Sequence, residues 1–283
     1  MKHGFLIEAP EFDLAKTLDS GQVFHWEGHD QGFVGTIGDE AVFVEQRESK
    51  LFVRGSTPKR VRHYFALDHS LGEICRAFPN DDALNAATEF CRGLRIIRQP
   101  IWECLASFIT SSMKQVGHIR QMSRALRERF GDAHVIAGMT VHSFPSAERI
   151  AQTTEPQLRE CALGYRAKNL LLTAQRVASR KADLEAWRSL PDDELRAQLC
   201  ELPGVGAKVA NCVMLFAYER LRAFPIDVWI ERVLREKYFP RRQKVTAAQL
   251  RAFCDSYFGE HGGYAQQYLF HHARKTTSRR RRR

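Results

Sequence analysis

The segment 202–227, LPGVGAKVANCVMLFAYERLRAFPID, limits the possible folds more than any other part of the chain. A Pro-Gly-Val-Gly turn separates two stretches whose apolar residues recur at helical spacing, which predicts two helices joined by a tight hairpin. Gly204 and Gly206 permit this turn because glycine has no Cβ, and with Val205 they bring backbone N–H groups to the surface. The unpaired N–H groups and positive dipole of the second helix start there too, so the hairpin is predicted to bind a phosphate.

Two charged residues accompany this turn. Lys208 follows the second glycine by two residues, and Asp227 follows Pro225 at the predicted N-cap of the next helix. An amine can act as a nucleophile, and a carboxylate can stabilise a developing cation. Backbone donors at the N-cap favour an ionised carboxylate, hence an electrostatic role rather than that of a strong base. Either residue alone would be an ordinary surface lysine or a capping aspartate, but their combination with the hairpin predicts a catalytic site.

The rest of the chain predicts an α+β fold. Residues 1 to about 55 alternate by two and are interrupted by turn residues, which indicates an antiparallel sheet. The segments VRHYFAL and DDALNAATEFCRGL predict helices packed against that sheet, and the pattern after residue 98 is helical almost without interruption. We therefore expect an N-terminal sheet domain with flanking helices over 1–98, an all-α helix-hairpin-helix region over 99–275 and a basic disordered tail over 276–283.

The charge is concentrated at one end of the chain. Seven of the ten net positive charges come from Arg274, Lys275 and Arg279–Arg283, which leaves +3 for the remainder. The arginine tail predicts salt-sensitive attraction to phosphates but no specific function.

The cysteines and the hydropathy of the chain indicate the cellular compartment in which the protein is expected. Seven cysteines without a pairing rhythm indicate free thiols in a reducing compartment. No apolar run is long enough for a membrane span, and the N-terminus lacks the apolar core of a signal peptide. We expect a cytoplasmic monomer associated with a bacterial nucleoid, neither secreted nor bound to a membrane.

LPGVGAKVA followed by FPIDV resembles the helix-hairpin-helix and Gly/Pro-Asp signature of base-excision DNA glycosylases. The lysine resembles that of bifunctional glycosylase/lyases, and the chain from Phe12 to about Lys275 resembles the 8-oxoguanine DNA glycosylases. The resemblance implies excision of 8-oxoguanine from double-stranded DNA, with Lys208 forming a Schiff base at the sugar and Asp227 stabilising positive charge. It implies no required cofactor and allows a structural cation bound by hairpin carbonyls.

The resemblance also implies a pocket for the extruded base. DSGQVFHW gives Gly21, whose carbonyl would accept from N7–H of 8-oxoguanine, and Phe24. Cys212 would stack on the base, while GGYAQQYLF supplies Gln266 to its edge and Phe270 to its face. From the residues alone, a strand-linking turn at Gly21 and core packing of Cys212 and Phe270 stay open.

Two further segments are expected to handle the opened duplex. LGYRAKNL implies Tyr165 as a wedge in the base stack and Arg166 as a reader of the opposite base. SFITSSMKQVGHIRQM departs from the best-known eukaryotic members, since Met113 stands for an asparagine and His118 for an arginine that bind the opposite cytosine. Loss of a bidentate pair removes about 1–3 kcal/mol of discrimination, so we expect relaxed specificity for the opposite base. Trp229 replaces a histidine of the eukaryotic relatives.

Two other functions remain open. A monofunctional alkylpurine glycosylase of the same superfamily would share the hairpin, but Lys208 argues against it because those enzymes use water. A noncatalytic helix-hairpin-helix DNA-binding protein would use the hairpin only to hold phosphates. An iron–sulfur cluster of the endonuclease III type is excluded, because only Cys254 follows Cys212.

Overall fold

A five-stranded antiparallel sheet begins the chain in the computed structural model, which describes residues 4–112, 114–241 and 244–280, with side chains to residue 277. Its strand order is β1-β5-β4-β3-β2. The strands are β1 Phe5–Glu8, β2 Glu27–His29, β3 Gly32–Ile37, β4 Glu40–Arg47 and β5 Lys50–Arg54. Val34 pairs with Phe43 and Val44 with Val53, which aligns β-branched and aromatic residues across the ladder. The predicted antiparallel N-terminal sheet is confirmed.

The sheet has a hydrophobic core of its own. Alternate residues of β4 and β5, including Val42, Val44 and Val53, are fully buried beneath α1 Leu14–Asp19 and α2 Pro58–Tyr64. Trp26 packs in this core, and its indole N–H donates to the Tyr64 hydroxyl at 3.0 Å. This polar contact satisfies both buried groups and fixes the loop that precedes β2.

The remaining helices form one body around α5. Their bounds are α3 Leu71–Arg76, α4 Asp82–Phe90, α5 Ile101–Ser111, α6 Val116–Phe130, α7 Ala147–Ala151, α8 Glu155–Arg159, α9 Arg166–Ala178, α10 Asp192–Cys200, α11 Ala207–Phe216, α12 Val228–Val233, α13 Ala247–Tyr257 and α14 Gly262–Arg280. A π-helical turn, Leu234–Tyr238, continues α12, and 3₁₀ turns span Ala186–Ser189 and Gly259–His261. Ten of the eleven residues of α5 are buried, because α6, α9 and α11 surround it.

The sequence-based expectation was wrong about α4. This helix packs against α14 in the helical body rather than on the sheet, because Leu84, Ala87 and Cys91 place one apolar face in the core of that body. The hydrophobic core therefore crosses the predicted boundary at residue 98, and the division into domains stays a prediction.

The predicted all-α region contains a small β-hairpin. Strands β6 Ala133–Ile136 and β7 Met139–His142 pair with each other and pack against β3 and β4 of the sheet. Ala137 and Gly138 at the turn both have positive φ, of 51° and 79°, which matches the twist of a two-residue hairpin. The sequence signal for this hairpin lies in the β-branched residues around Gly138. The long helical pattern on either side obscured that signal.

The sequence predicted a disordered tail from residue 276. Helix α14 instead continues to Arg280, so residues 276–280 are helical. Buried contacts anchor its first half, where Gln267 donates to the Ser20 carbonyl and Tyr268 to the Leu94 carbonyl, each at 3.0 Å. Extending a helix from an anchored turn costs little free energy, because each added residue gains a hydrogen bond without a new nucleation step. Arg281–Arg283 lie outside the described residues.

A buried polar cluster joins the sheet to the body. The Arg127 guanidinium donates to Glu103, to the Thr36 hydroxyl at 2.9 Å and to the His142 carbonyl at 3.0 Å. Burial lowers the pKa of His25, beside Glu103, and raises the pKa of Glu103 itself. Removing one partner from such a cluster is expected to be strongly destabilising. Among the helices of the described residues, none is long and apolar enough to cross a membrane.

Candidate active site

The hairpin between α10 and α11 is fixed from below by α9. Gly204 has φ +82°, and a Cβ there would lie 2.8 Å from Cβ of Asn169, so this glycine is required for both conformation and packing. The Thr173 hydroxyl donates to the Pro203 carbonyl at 3.0 Å, while Val205 is buried in the core. Gly206 is the N-cap of α11, and a Cβ built on it would meet no described atom within 4 Å. The hairpin surface is therefore open above the N-terminus of α11.

Lys208 lies in the first turn of α11 and is half-buried. Its Nζ is 4.9 Å from the ring centroid of Phe108, on the central helix α5. Burial raises the pKa of Cys212, and this outweighs the opposing effect of the lysine. The raised pKa keeps the thiol protonated, which disfavours Cys212 as a nucleophile.

Asp227 is the N-cap of α12, as predicted. Its Oδ1 accepts from the backbone N–H of Ile230 at 2.8 Å. Burial raises the pKa of this carboxyl, although backbone donors and the positive charge of Lys208 oppose the shift. Desolvation is thus the largest influence on this carboxyl, while the cap donors act in the predicted direction and favour its ionised form. The positive charge of Lys208 thus favours the ionised form of a carboxyl that is mostly removed from solvent.

Lys208 and Asp227 line one cavity of about 510 Å³ together with Gly21, Phe24 and Phe270. Gly21 has φ +88°, and a Cβ there would lie 3.1 Å from the Phe270 ring. The turn at Gly21 links elements and also forms a wall of the cavity. It therefore fits both interpretations of the sequence, the linking turn and the pocket position. Trp229 lines the same cavity, two residues after Asp227. Three of the five predicted pocket positions, Gly21, Phe24 and Phe270, line this cavity, although they lie far apart in the chain.

Cys212 and Gln266 are buried and are not among the residues that line this cavity. The Gln266 side-chain oxygen is buried, and no hydrogen-bond partner exists for it among the residues that the structure describes. An unsatisfied buried oxygen of this kind costs about 1–3 kcal/mol, and it is typical of sites completed by a ligand.

Tyr165 and Arg166 lie at the start of α9, on a second region of the surface. Tyr165 is 59% exposed, as a wedge requires, whereas Arg166 is only 5% exposed. The Arg166 guanidinium lies 4.4 Å from the Tyr165 ring centroid and donates to the Ser112 carbonyl. His118 is exposed in the first turn of α6, and Met113 lies outside the described residues. The opposite-base roles of these residues stay predictions.

Sequence patterns assigned no role to Gln22 or Phe108. The Gln22 amide donates to the Arg95 carbonyl at 2.8 Å and accepts from the Ile97 N–H at 2.7 Å, and so fixes the turn at Gly21. Phe108 lies under the lysine and packs edge-on against Phe24, with ring centroids 5.9 Å apart. The only sequence signal for Gln22 was its position beside the pocket glycine. Phe108 resembles an ordinary core residue of α5 and gave no signal.

The arrangement defines a class of enzyme before any comparison. An amine nucleophile and a carboxylate share an aromatic-lined cavity, next to a helical hairpin whose open surface suits a phosphate. Among the described residues, no three His, Cys, Asp or Glu side chains are grouped closely enough to hold a metal ion. This chemistry fits covalent amine catalysis on a phosphate-bearing substrate such as a nucleic acid.

Comparison with known proteins gives the family. Residues 5–105 match the family described as 8-oxoguanine DNA glycosylase, N-terminal domain, and residues 106–256 match the HhH-GPD superfamily base excision DNA repair proteins. The N-glycosylase/DNA lyase OGG1 of Arabidopsis thaliana is 31% identical over 285 residues, covering 92% of this chain and 77% of that protein. The chain therefore belongs to the 8-oxoguanine DNA glycosylases of the HhH-GPD superfamily.

Solved structures are similar over almost the whole chain. MBOgg1 in complex with a low-affinity DNA ligand has a TM-score of 0.92 at 30% identity, over 97% of this chain and 96% of that one. The 8-oxoguanine glycosylase/lyase of Clostridium acetobutylicum, in complex with double-stranded DNA containing cytosine opposite 8-oxoguanine, has a TM-score of 0.90 at 29% identity, over 98% of each chain.

Proposed function

We propose that the protein is a bifunctional DNA glycosylase that excises 8-oxoguanine from double-stranded DNA and cleaves the resulting abasic site in base excision repair. The observation that carries this proposal is the shared cavity of Lys208, Asp227 and Gly21 beside the open hairpin. Its aromatic walls, Phe24 and Phe270, suit an extruded purine. The relatives named as N-glycosylase/DNA lyase support the same activity.

The reaction follows from the positions of the two charged groups. The neutral Lys208 amine attacks C1′, the N-glycosidic bond breaks, and its electron pair leaves with the base, which takes up a proton. Positive charge on the sugar is stabilised by the Asp227 carboxylate, and the sugar ring then opens to a protonated Schiff base. Loss of a C2′ proton and cleavage of the C3′–O bond release the 3′ phosphate, and water finally hydrolyses the imine to free the amine.

Relaxed specificity for the opposite base is part of the proposal. His118 replaces a bidentate arginine of the eukaryotic relatives, and Met113 cannot form the hydrogen bonds of an asparagine.

A substrate panel tests the proposal against the two alternatives. Duplexes carrying 8-oxoguanine or 7-methylguanine are incubated with the protein, and base release and strand cleavage are measured separately. We expect release of 8-oxoguanine with cleavage on the 3′ side. Release of 7-methylguanine without cleavage would indicate the monofunctional glycosylase, and duplex binding without release of either base would indicate the noncatalytic module.

Several finer points are also proposed. A structural cation at the hairpin is compatible with the carbonyls of Leu202 and Gly206, which accept backbone hydrogen bonds but keep a second lone pair.

All seven cysteines are free thiols, typical of a reducing compartment, which supports a cytoplasmic, nucleoid-associated location. We also propose that the protein acts as a monomer on DNA, consistent with a site formed by one chain.

A further inference from the structure

The carboxylate of Asp19, the last residue of α1, contacts cations from two other helices. Its Oδ1 is 3.1 Å from Nη2 of Arg120 on α6 and 3.9 Å from Nη2 of Arg274 on α14, and its Oδ2 accepts from Lys275. Burial raises the pKa of this carboxyl, but the hydrogen bond from Lys275 and the three positive charges outweigh that effect and lower it. A carboxylate is unfavourable at the C-terminal end of a helix, so these cations stabilise it where the helix dipole does not.

Helix α14 also binds the backbone that leads from Asp19 into the lesion cavity. Arg274 donates to the Asp19 carbonyl. Gln267, two turns earlier on the same face of α14, donates to the Ser20 carbonyl at 3.0 Å. Gly21 follows directly in the chain, so α14 fixes both carbonyls that precede the turn in the cavity wall.

Each element that meets at Asp19 forms part of the lesion cavity. The end of α1 continues into Gly21, α6 contributes Ile119, and α14 contributes Phe270 and Arg274. The Arg274 guanidinium lies 5.8 Å from the Phe270 ring centroid, and a Cβ on Gly21 would lie 3.1 Å from that ring. Asp19 itself is not among the residues that line the cavity, so it can act on the walls but not on a ligand.

We propose that Asp19 is a positioning residue whose ion cluster holds the Gly21 turn, α6 and the Phe270 face of α14 in place around the extruded base. Without its charge, three cations would repel one another where these walls meet. A misplacement of about 1 Å can cost on the order of 10²-fold in rate. The inference rests on the proposed function, in which the base needs these walls and an abasic sugar needs Lys208 and Asp227. Asp19 should therefore affect base release and not the cleavage of a preformed abasic site.

The test compares Asp19→Asn with the wild type and with Glu219→Gln. Glu219 is a matched control, because its side chain is 37% exposed against 38% for Asp19 and it does not line the lesion cavity. Its carboxylate also contacts two side chains of other segments, with His69 Nε2 at 2.8 Å and Arg98 Nε at 2.6 Å. Base release from 8-oxoguanine duplexes and cleavage of duplexes with a preformed abasic site are measured separately, in single turnover at saturating protein. Affinity for an undamaged duplex is measured alongside.

We expect Asp19→Asn to slow base release about tenfold and to change abasic-site cleavage by less than about twofold. Glu219→Gln should keep the ratio of the two rates within about twofold of the wild type. Affinity of Asp19→Asn for the undamaged duplex should stay equal or rise a few-fold, because a negative charge beside exposed cations is removed. Asp19→Glu should recover part of the base release. Combining Asp19→Asn with Arg274→Gln should cost less than the product of the single effects, because both break the same cluster.

Several results would overturn the inference. Equal slowing of both steps would make Asp19 a purely structural residue, and unchanged rates with altered affinity would limit it to the charge presented to DNA. The same fall of the rate ratio in Glu219→Gln, or multiplicative effects with Arg274→Gln, would show that the ion cluster is not the cause. If Asp19→Asn does not fold, Arg274→Gln, which leaves two cations on Asp19, is judged by the same ratio. Wild-type protein that releases no 8-oxoguanine would instead contradict the proposed function.

Discussion

The lesion cavity and the wedge region differ in how completely they are assembled without DNA. In the cavity, Lys208, Asp227 and the wall formed by Gly21 and Phe270 are already in place. At the wedge, Tyr165 is exposed but the guanidinium beside it is turned inward onto Ser112. The catalytic groups are therefore preorganised, as electrostatic catalysis requires, whereas the guanidinium at the wedge donates to a backbone carbonyl.

Replacing Asp227 by asparagine should have the largest effect on the cavity side. Asparagine keeps the N-cap but removes the charge, so we expect base excision to fall about 10²–10³-fold, the range found when one group that stabilises transition-state charge is lost. DNA affinity should stay nearly unchanged.

The pH dependence of the wild type follows from the same carboxyl. Burial raises the pKa of Asp227, and its ionised form is the active one. Activity should therefore be lost on acidification at a higher pH than for an ordinary aspartate, and be retained above that pH. Single-turnover rates across pH check this, and Asp227→Asn should lack the acidic limb. An identical limb in the variant would show that another group controls it.

Replacing Gly21 by alanine tests how tightly the cavity is built. The positive φ and the approach to Phe270 predict a loss of about 1–2 kcal/mol in the free energy of unfolding, and a roughly tenfold slower excision. Gly28→Ala is the matched control, because a Cβ at Gly28 meets no described atom within 4 Å. Denaturant unfolding and excision assays measure both effects. Unchanged excision in Gly21→Ala would remove this turn from the pocket wall.

Tyr165→Ala tests the other region. Loss of the aromatic ring should cost about 1–3 kcal/mol of stacking with the bases and so weaken binding to lesion DNA roughly tenfold. Because the side chain is mostly exposed, the free energy of unfolding should change by no more than about 0.5 kcal/mol. Fluorescence titration measures the binding to lesion DNA, and denaturant unfolding measures the free energy of unfolding. A stability loss equal to that of Gly21→Ala would contradict the contrast between the regions.

Removal of divalent cations should have the smallest effect. A cation at the hairpin carbonyls would contribute to phosphate binding but not to the covalent chemistry. Treatment with a chelator is therefore expected to weaken DNA binding only a few-fold, with single-turnover rates at saturating protein unchanged. Loss of the single-turnover rate itself would show that a metal ion acts in the reaction.

The sequence predicted the catalytic half of the site better than the wedge. Lys208, Asp227 and Gly204 belong to one short segment, where local rules for caps and turns decide the geometry. The upward shift in the pKa of Asp227 could not be predicted, because it depends on burial by elements remote in the chain. The inward position of Arg166 was equally hidden, since its acceptor Ser112 is 54 residues away.

The fold shows the same division between local and remote information. Strand alternation predicted the antiparallel sheet, whereas the packing of α4 on α14 joins segments almost 180 residues apart and has no local signal. The β6–β7 hairpin had a local signal in the Ala137-Gly138 turn, but it was too short to stand out from the helical pattern around it.

The central claim is that Lys208 is the covalent nucleophile, and borohydride trapping tests it most directly. The protein is incubated with a duplex containing 8-oxoguanine in the presence of borohydride, which reduces an imine to a stable bond. Lys208→Gln is compared with Lys114→Gln, because Lys114 is a second amine that lines the same cavity. We predict a covalent complex with the wild type and with Lys114→Gln, and none with Lys208→Gln. An adduct that persists in Lys208→Gln and vanishes in Lys114→Gln would contradict the assignment.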